Sequence, residues 1–125
     1  MLINIDPIIG PEVLHTLRAM GHGDKLILCD SNFPAYSMNS LVHRLDGVDA
    51  ARAAKAILSI FPLDSFVEFP ILRMQIDNKP DELNDVHREI MEVTKSVAGE
   101  NWKIGSIERF KFYEEAKKAF AIITT

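Results

Sequence analysis

The chain of 125 residues reads as one α/β domain built in three layers, with a mostly parallel or mixed sheet flanked by helices. Three observations predict it. Short apolar runs with strand character alternate with segments of helical periodicity four times along the chain, as crossover connections between neighbouring strands require. With 47% hydrophobic and 26% charged residues, the chain has enough apolar side chains to cover both faces of a sheet and enough charge for a polar exterior. No repeat, linker or low-complexity tract interrupts the pattern, so residues 1–125 are expected to form a single domain.

Pro11 follows Gly10 and opens a segment in which Val13, Leu14, Leu17 and Met20 recur at helical spacing, predicting a helix over 11–20 with Gly21 as a left-handed stop. Lys25 to Asp30 has the short, bounded form of a buried strand, and Ser31-Asn32-Phe33-Pro34 is loop chemistry. Residues 37–47 are ambiguous, with Leu41, Val42 and His43 a short strand before the Asp46-Gly47 turn. Asp49 caps an alanine-rich helix over 50–61 that carries Ile57, Leu58 and Phe61. Phe66 to Ile76 has strand composition, but Pro70 in its middle requires an edge strand, a bulge or two shorter pieces.

Asp77 or Asn78 is the expected cap of a long helix that begins near Pro80, sets Leu83, Val86, Ile90, Val93 and Val97 on one stripe, and ends before Gly99. Trp102 to Ile107 reads as a strand. Arg109 to Ala119 reads as a helix with Phe112, Ala116 and Ala119 inward, and Phe120 to Thr124 closes the pattern as a strand.

Fourteen Lys and Arg against eighteen Asp and Glu give a net charge of −4, with no basic cluster to track phosphates. Nucleic acid and anionic membrane are therefore not expected partners. Cys29 is the single cysteine and lies in the apolar run Leu26-Ile27-Leu28, so it is expected to pack as a small hydrophobe. Met1 to Pro7 carries Asp6 where a secretory leader would be basic, and no apolar stretch approaches a membrane span. The expected location is the cytoplasm.

Among the chemistry-bearing residues, Gly21-His22-Gly23 stands out. A dinucleotide fingerprint needs a third glycine and runs from strand into helix, whereas here the order is helix, loop, strand. What the loop offers instead is an imidazole on backbone able to turn sharply. Histidine's ordinary pKa of about 6.5 suits either direction of proton transfer near neutrality. The competing reading is a histidine that only decorates a turn, and composition alone prefers it.

Asp30 ends a strand, where open α/β sheets place ligand crevices; its carboxylate is suited to sugar hydroxyls or to orienting an imidazole, and equally to an Asx turn with Ser31 and Asn32. Asp24 has the same two readings. In "IERFKFYEEAKKAF", Arg109 stands at a strand-to-helix junction followed by Phe110, Phe112 and Tyr113. It is suited to forking onto hydroxyls or pairing with Asp30, with an aromatic edge such as Phe33 or Tyr113 against the apolar face of a sugar. The alternative is a core aromatic stripe. His15, His43 and His87 lack metal spacing, and Ser37 and Ser40 lack a nucleophile elbow. No metal and no cofactor are expected.

Together these stretches form a pattern. Met20-Gly21-His22-Gly23-Asp24, Asp30 before Asn32-Phe33-Pro34-Ala35, Ile107 to Glu114, Gly10-Pro11-Glu12, Arg44 with Asp46-Gly47, and Pro62-Leu63-Asp64 resemble the L-fucose mutarotase branch of the ribose pyranase and fucose mutarotase family. The resemblance covers nearly the whole chain. It implies a cofactor-independent isomerase with His22 as proton donor, Asp30 and Arg109 binding the sugar, and Asp24, Phe33 and Tyr113 as secondary contacts. It also implies ring-shaped homo-oligomers, pentamers paired into decamers. Family members are expected to continue into a Gly-Glu segment and a Tyr-Gly-Asn sugar contact beyond the last strand, where this sequence stops at Thr125; Asn32 and Leu45 also depart from the family pattern.

One inference is geometric. A strand from Lys25 to Cys29 at about 3.3 Å per residue spans roughly 13 Å, wider than a monosaccharide. Either the loop over 31–35 folds back along the sheet, or the site joins neighbouring subunits. Two further functions fit the same loop: a sugar-binding or transport-accessory protein without turnover, and a phosphocarrier in which His22 accepts a phosphoryl group.

Overall fold

The computed structural model describes all of residues 1–125. Its elements run α1 (Pro11–Ala19), β1 (Leu26–Cys29), α2 (Ala35–Met38), β2 (Val42–Arg44), α3 (Ala50–Leu58), β3 (Ile71–Met74), α4 (Asp85–Val97), β4 (Ile104–Ile107), α5 (Arg109–Lys118) and β5 (Ala121–Thr124). Every strand pairing is parallel, in keeping with the alternating pattern. The strands divide into two sheets, one of order β1-β5-β2 and one of β3-β4, where the alternation alone suggested a single sheet.

The first sheet is the middle of a three-layer sandwich. β5 lies at its centre, with Ile122 and Ile123 completely buried and pointing to opposite faces. Ile123 joins Val13 and Leu17 of α1 and Ala53, Ala56 and Ile57 of α3 in one core. On the other face Ile122 joins Ile27 and Cys29 of β1, Ala35 of α2, and Ala116 and Ala119 of α5. Small alanines at the contacts let the helices approach the sheet closely. Burial makes Cys29 the small hydrophobe expected of it and pushes its thiol pKa up.

Several boundaries differ from the sequence reading, each for a local reason. Helix α1 stops because Met20 turns extended, with φ −71° and ψ 145°; the left-handed glycine is Gly23 rather than Gly21. The span 66–76 yields strand only over Ile71–Met74, and Pro70, which lacks an N–H, stands just before it. Asp77 and Asn78 do not cap a helix, since both have positive φ in a tight turn closed by the bridge between Ile76 and Lys79. The cap of α4 is Asn84, whose side chain accepts from the His87 amide while His87 returns a bond to the Asn84 amide. The short helix α2 was not anticipated. Asn39 closes it and donates to the carbonyls of Ala116 and Ala119 at 3.1 and 2.8 Å, tying α2 to the end of α5.

The second sheet is more open. A Cβ at Gly105 would lie 2.8 Å from both Leu72 Cδ2 and Phe69 Cγ, so glycine there lets two side chains lie directly over β4. Helix α4 packs on α3 and fully buries only Thr94; of its apolar stripe, Val86 remains exposed.

Candidate active site

The candidate residues gather at the two ends of β1. At its N-terminal end, the turn over Gly21 to Asp24 closes with the Asp24 amide donating to the Gly21 carbonyl at 3.2 Å. The Asp24 carboxylate accepts from the Gly21 amide at 2.8 Å, so Asp24 shapes the loop. Gly23 has φ +86°, a conformation other residues adopt only under strain, which accounts for the second glycine.

The turn presents His22, whose side chain is 74% exposed. Its Nδ1 lies 3.1 Å from Asp64 Oδ1. Asp64 Oδ2 accepts from the Gly23 amide at 3.3 Å. The Phe66 ring stands edge-to-face against the imidazole, with centroids 4.6 Å apart and planes at 87°. The Asp64 carboxyl is held below the ordinary carboxylate range, chiefly by the Phe66 amide, whose effect outweighs the opposing one of burial, with His22 and the Gly23 amide adding to the lowering.

Asp64 and Phe66 are the site residues that sequence reasoning did not single out. They arrive from the loop after α3, some forty positions from His22 in the chain, and local pattern gives no sign of that contact. The one available signal was the Pro62-Leu63-Asp64 stretch.

At the other end of β1, Asp30 forms the Asx turn that its neighbours suggested: its Oδ1 accepts from the Asn32 amide at 3.0 Å, and its carbonyl accepts from the Phe33 amide at 3.2 Å. Phe33 turns toward α5, edge-on to Phe112 at 5.6 Å and to Tyr113 at 5.4 Å. Glu108 caps α5 through the Phe110 and Lys111 amides and so places Arg109 in the first turn. Arg109 Nε donates to the Tyr113 hydroxyl at 3.0 Å, and its guanidinium lies 5.5 Å from the Tyr113 ring centroid and 5.9 Å from that of Phe110. Of the two roles the sequence offered Arg109, the pairing with Asp30 does not form; the one-turn spacing to Tyr113 offers Arg109 a nearer partner.

The structure therefore brings Phe33, Arg109 and Tyr113 into one cluster, with Asp30 in the turn that leads into Phe33, and leaves His22 and Asp24 at the far end of the strand. The 31–35 loop packs toward α5 and does not fold back to His22. Two clefts, of about 330 and 470 Å³, are lined by other residues, around Phe61 and Trp102 and around Arg73 and Gly105. No group of three or more His, Cys, Asp or Glu side chains converges in a metal-binding arrangement. No helix is long and apolar enough to cross a membrane.

Known proteins are similar to this chain over its full length. The L-fucose mutarotase of Actinobacillus pleuropneumoniae serotype 5b is 41% identical over 127 residues, spanning 100% of this chain and 87% of that one. The L-fucose mutarotase of Haemophilus influenzae strain 86-028NP is 36% identical over 125 residues with the same coverage. Among solved structures, the fucose mutarotase of Streptococcus pneumoniae in complex with L-fucose superposes with a TM-score of 0.87 at 34% identity, covering 99% of this chain and 88% of that one. The model of the RbsD/FucU transport protein family matches residues 3–125. By family match and full-length similarity alike, the chain belongs to the RbsD/FucU family.

Proposed function

We propose that this chain is an isomerase that interconverts the α and β anomers of L-fucose or a closely related sugar by opening and closing the pyranose ring. The observation that carries the reading is an exposed imidazole held by a carboxylate, in a chain similar over its full length to L-fucose mutarotases. In the reaction the C1–O bond to the ring oxygen breaks with its electron pair going to that oxygen, which takes a proton from protonated His22. The anomeric hydroxyl loses its proton to water and becomes the carbonyl. After rotation about the C1–C2 bond the steps reverse on the other face, and neutral His22 recovers its proton.

Such chemistry needs only a positioned acid and base, typically worth about 10²–10⁴-fold, which suffices for a reaction that already proceeds in water. Asp24 is engaged with the Gly21 amide, which favours water as the base. Asp30 and Arg109 are proposed to bind hydroxyls, with Phe33 and Tyr113 supplying apolar faces.

Because the two clusters lie at opposite ends of a strand, we further propose that the working site joins His22 of one subunit to the Asp30–Arg109 cluster of a neighbour in a homo-oligomer. Two features support self-association. A compact monomer of 14.1 kDa is expected to expose about 6,700 Å², and this chain exposes 8107 Å². Phe66 beside His22 and Phe110 beside Arg109 are 79% and 67% exposed, so both clusters carry uncovered aromatic surface. The decamer implied by family resemblance and a cytoplasmic location belong to the same reading.

Two-dimensional exchange NMR on the anomers of L-fucose tests the activity. Accelerated exchange that falls by about 10²–10⁴-fold in His22→Ala is the expected result. Sugar binding without accelerated exchange would identify a binding module instead, and phosphate on His22 with unchanged exchange a phosphocarrier.

A further inference from the structure

Asp64 is where three parts of the His22 site meet. One carboxylate oxygen accepts from the Phe66 amide at 2.9 Å and faces His22 Nδ1 at 3.1 Å; the other accepts from the Gly23 amide. The Asx turn from Asp64 to Phe66 fixes the carboxylate independently of the imidazole, and its side chain is 24% exposed where that of His22 is 74% exposed. The partner anchored to the backbone therefore sets the geometry of the more exposed one. Phe66 limits rotation of the ring from its edge.

An ionised carboxylate only accepts hydrogen bonds, so the nitrogen facing it must carry a proton. The only other acidic group on the loop, Asp24, is turned to the Gly21 amide, and Asp64 is the charged group that the loop after α3 brings to the ring. Nε2 has no partner within the chain and is the nitrogen left for chemistry. This matches the demand of a proton donor that must return to the same neutral form in each half-reaction: loss of the Nε2 proton from the imidazolium leaves the Nδ1–H tautomer that Asp64 already holds.

We propose that Asp64 is a positioning residue that fixes His22 as its Nδ1–H tautomer, so that Nε2 is the atom that exchanges a proton with the sugar's ring oxygen. The catalytic part of this inference rests on the mutarotase reading; the tautomer does not.

The test is long-range ¹H–¹⁵N correlation NMR of the ¹⁵N-labelled protein without sugar, at a pH where the imidazole is neutral, followed by anomer-exchange kinetics. The expected result is an Nδ1–H tautomer in the unmodified protein and a shift toward Nε2–H in Asp64→Asn. With it, kcat falls about tenfold or more at little change in KM, short of the roughly 10⁴-fold cost of losing the orienting carboxylate of a buried triad. An Nε2–H tautomer in the unmodified protein overturns the proposal without recourse to any variant, including one that fails to fold. So does an Asp64→Asn protein with unaltered tautomer and kcat. Absence of anomer exchange in an unmodified protein that still shows the Nδ1–H tautomer overturns the mutarotase reading and leaves the pairing of the two side chains intact.

Discussion

If His22 of one subunit works with Asp30 and Arg109 of another, two inactive variants should rescue each other. Leu26–Cys29 is extended, and the span from Lys25 to Cys29 is about 13 Å, which keeps the His22 turn and Asp30 of one chain from sharing a monosaccharide. His22→Ala and Asp30→Ala chains, carrying different affinity tags, are co-expressed and the mixed oligomers isolated through both tags. With random assembly, a site drawing its imidazole and its carboxylate from separate chains receives both intact groups in about a quarter of cases. The mixed oligomer should therefore show about a quarter of the unmodified protein's anomer exchange per site, while either variant alone is near background. A site within one chain gives a different result, since every chain then carries one defect. Mixed oligomers no more active than their parents would refute the shared-site reasoning.

Other consequences follow from particular contacts. Arg109→Ala removes the group stacked beside Tyr113 and Phe110 and should raise KM for the sugar far more than it lowers kcat, as steady-state exchange kinetics would reveal. Asn39→Ala leaves the carbonyls of Ala116 and Ala119 without their donor and should lower unfolding stability by about 1–3 kcal/mol in urea titrations, without changing the slope. His43, packed against Thr16, has its pKa pushed below the ordinary 6.5 mainly by burial, against an opposing effect of Glu12. The unfolded chain binds that proton more readily, so the contribution of His43 to stability is full above about 6.5 and is lost as pH falls through the lower folded value. The urea midpoint should drop between pH 7.5 and pH 5.5, and His43→Gln should flatten that part of the drop; an unchanged slope in the variant would rule His43 out as a source.

What the sequence revealed and what it concealed divide along one physical line. The helices α1, α3 and α5 and the strands β1 and β5 were legible because each has apolar residues on a period set by its own backbone, and one element's burial pattern needs no knowledge of its neighbours. The Asx turn at Asp30 and the turn chemistry around His22 were legible for the same reason, since both depend on residues two or three positions apart. Asp64 was not, because its partner is 42 positions away and the choice of partner is made by packing. The cap of α4 shows how close a local signal can come and still fail. Asp77, Asn78 and Asn84 all have capping side chains, but only Asn84 has extended backbone with a reciprocating His87 three residues later, while the first two are drawn into a left-handed turn. The division of the strands into two sheets belongs with Asp64, since strand length and composition are alike in both and only the crossovers decide which edges meet. A site whose imidazole, Asx turn and Arg109 junction are local features but whose Asp64 contact is long-range is therefore only partly visible in sequence, and on the proposed reading mutation should separate the order of the imidazole from the affinity for the sugar: Asp64 should govern kcat, and Arg109 KM.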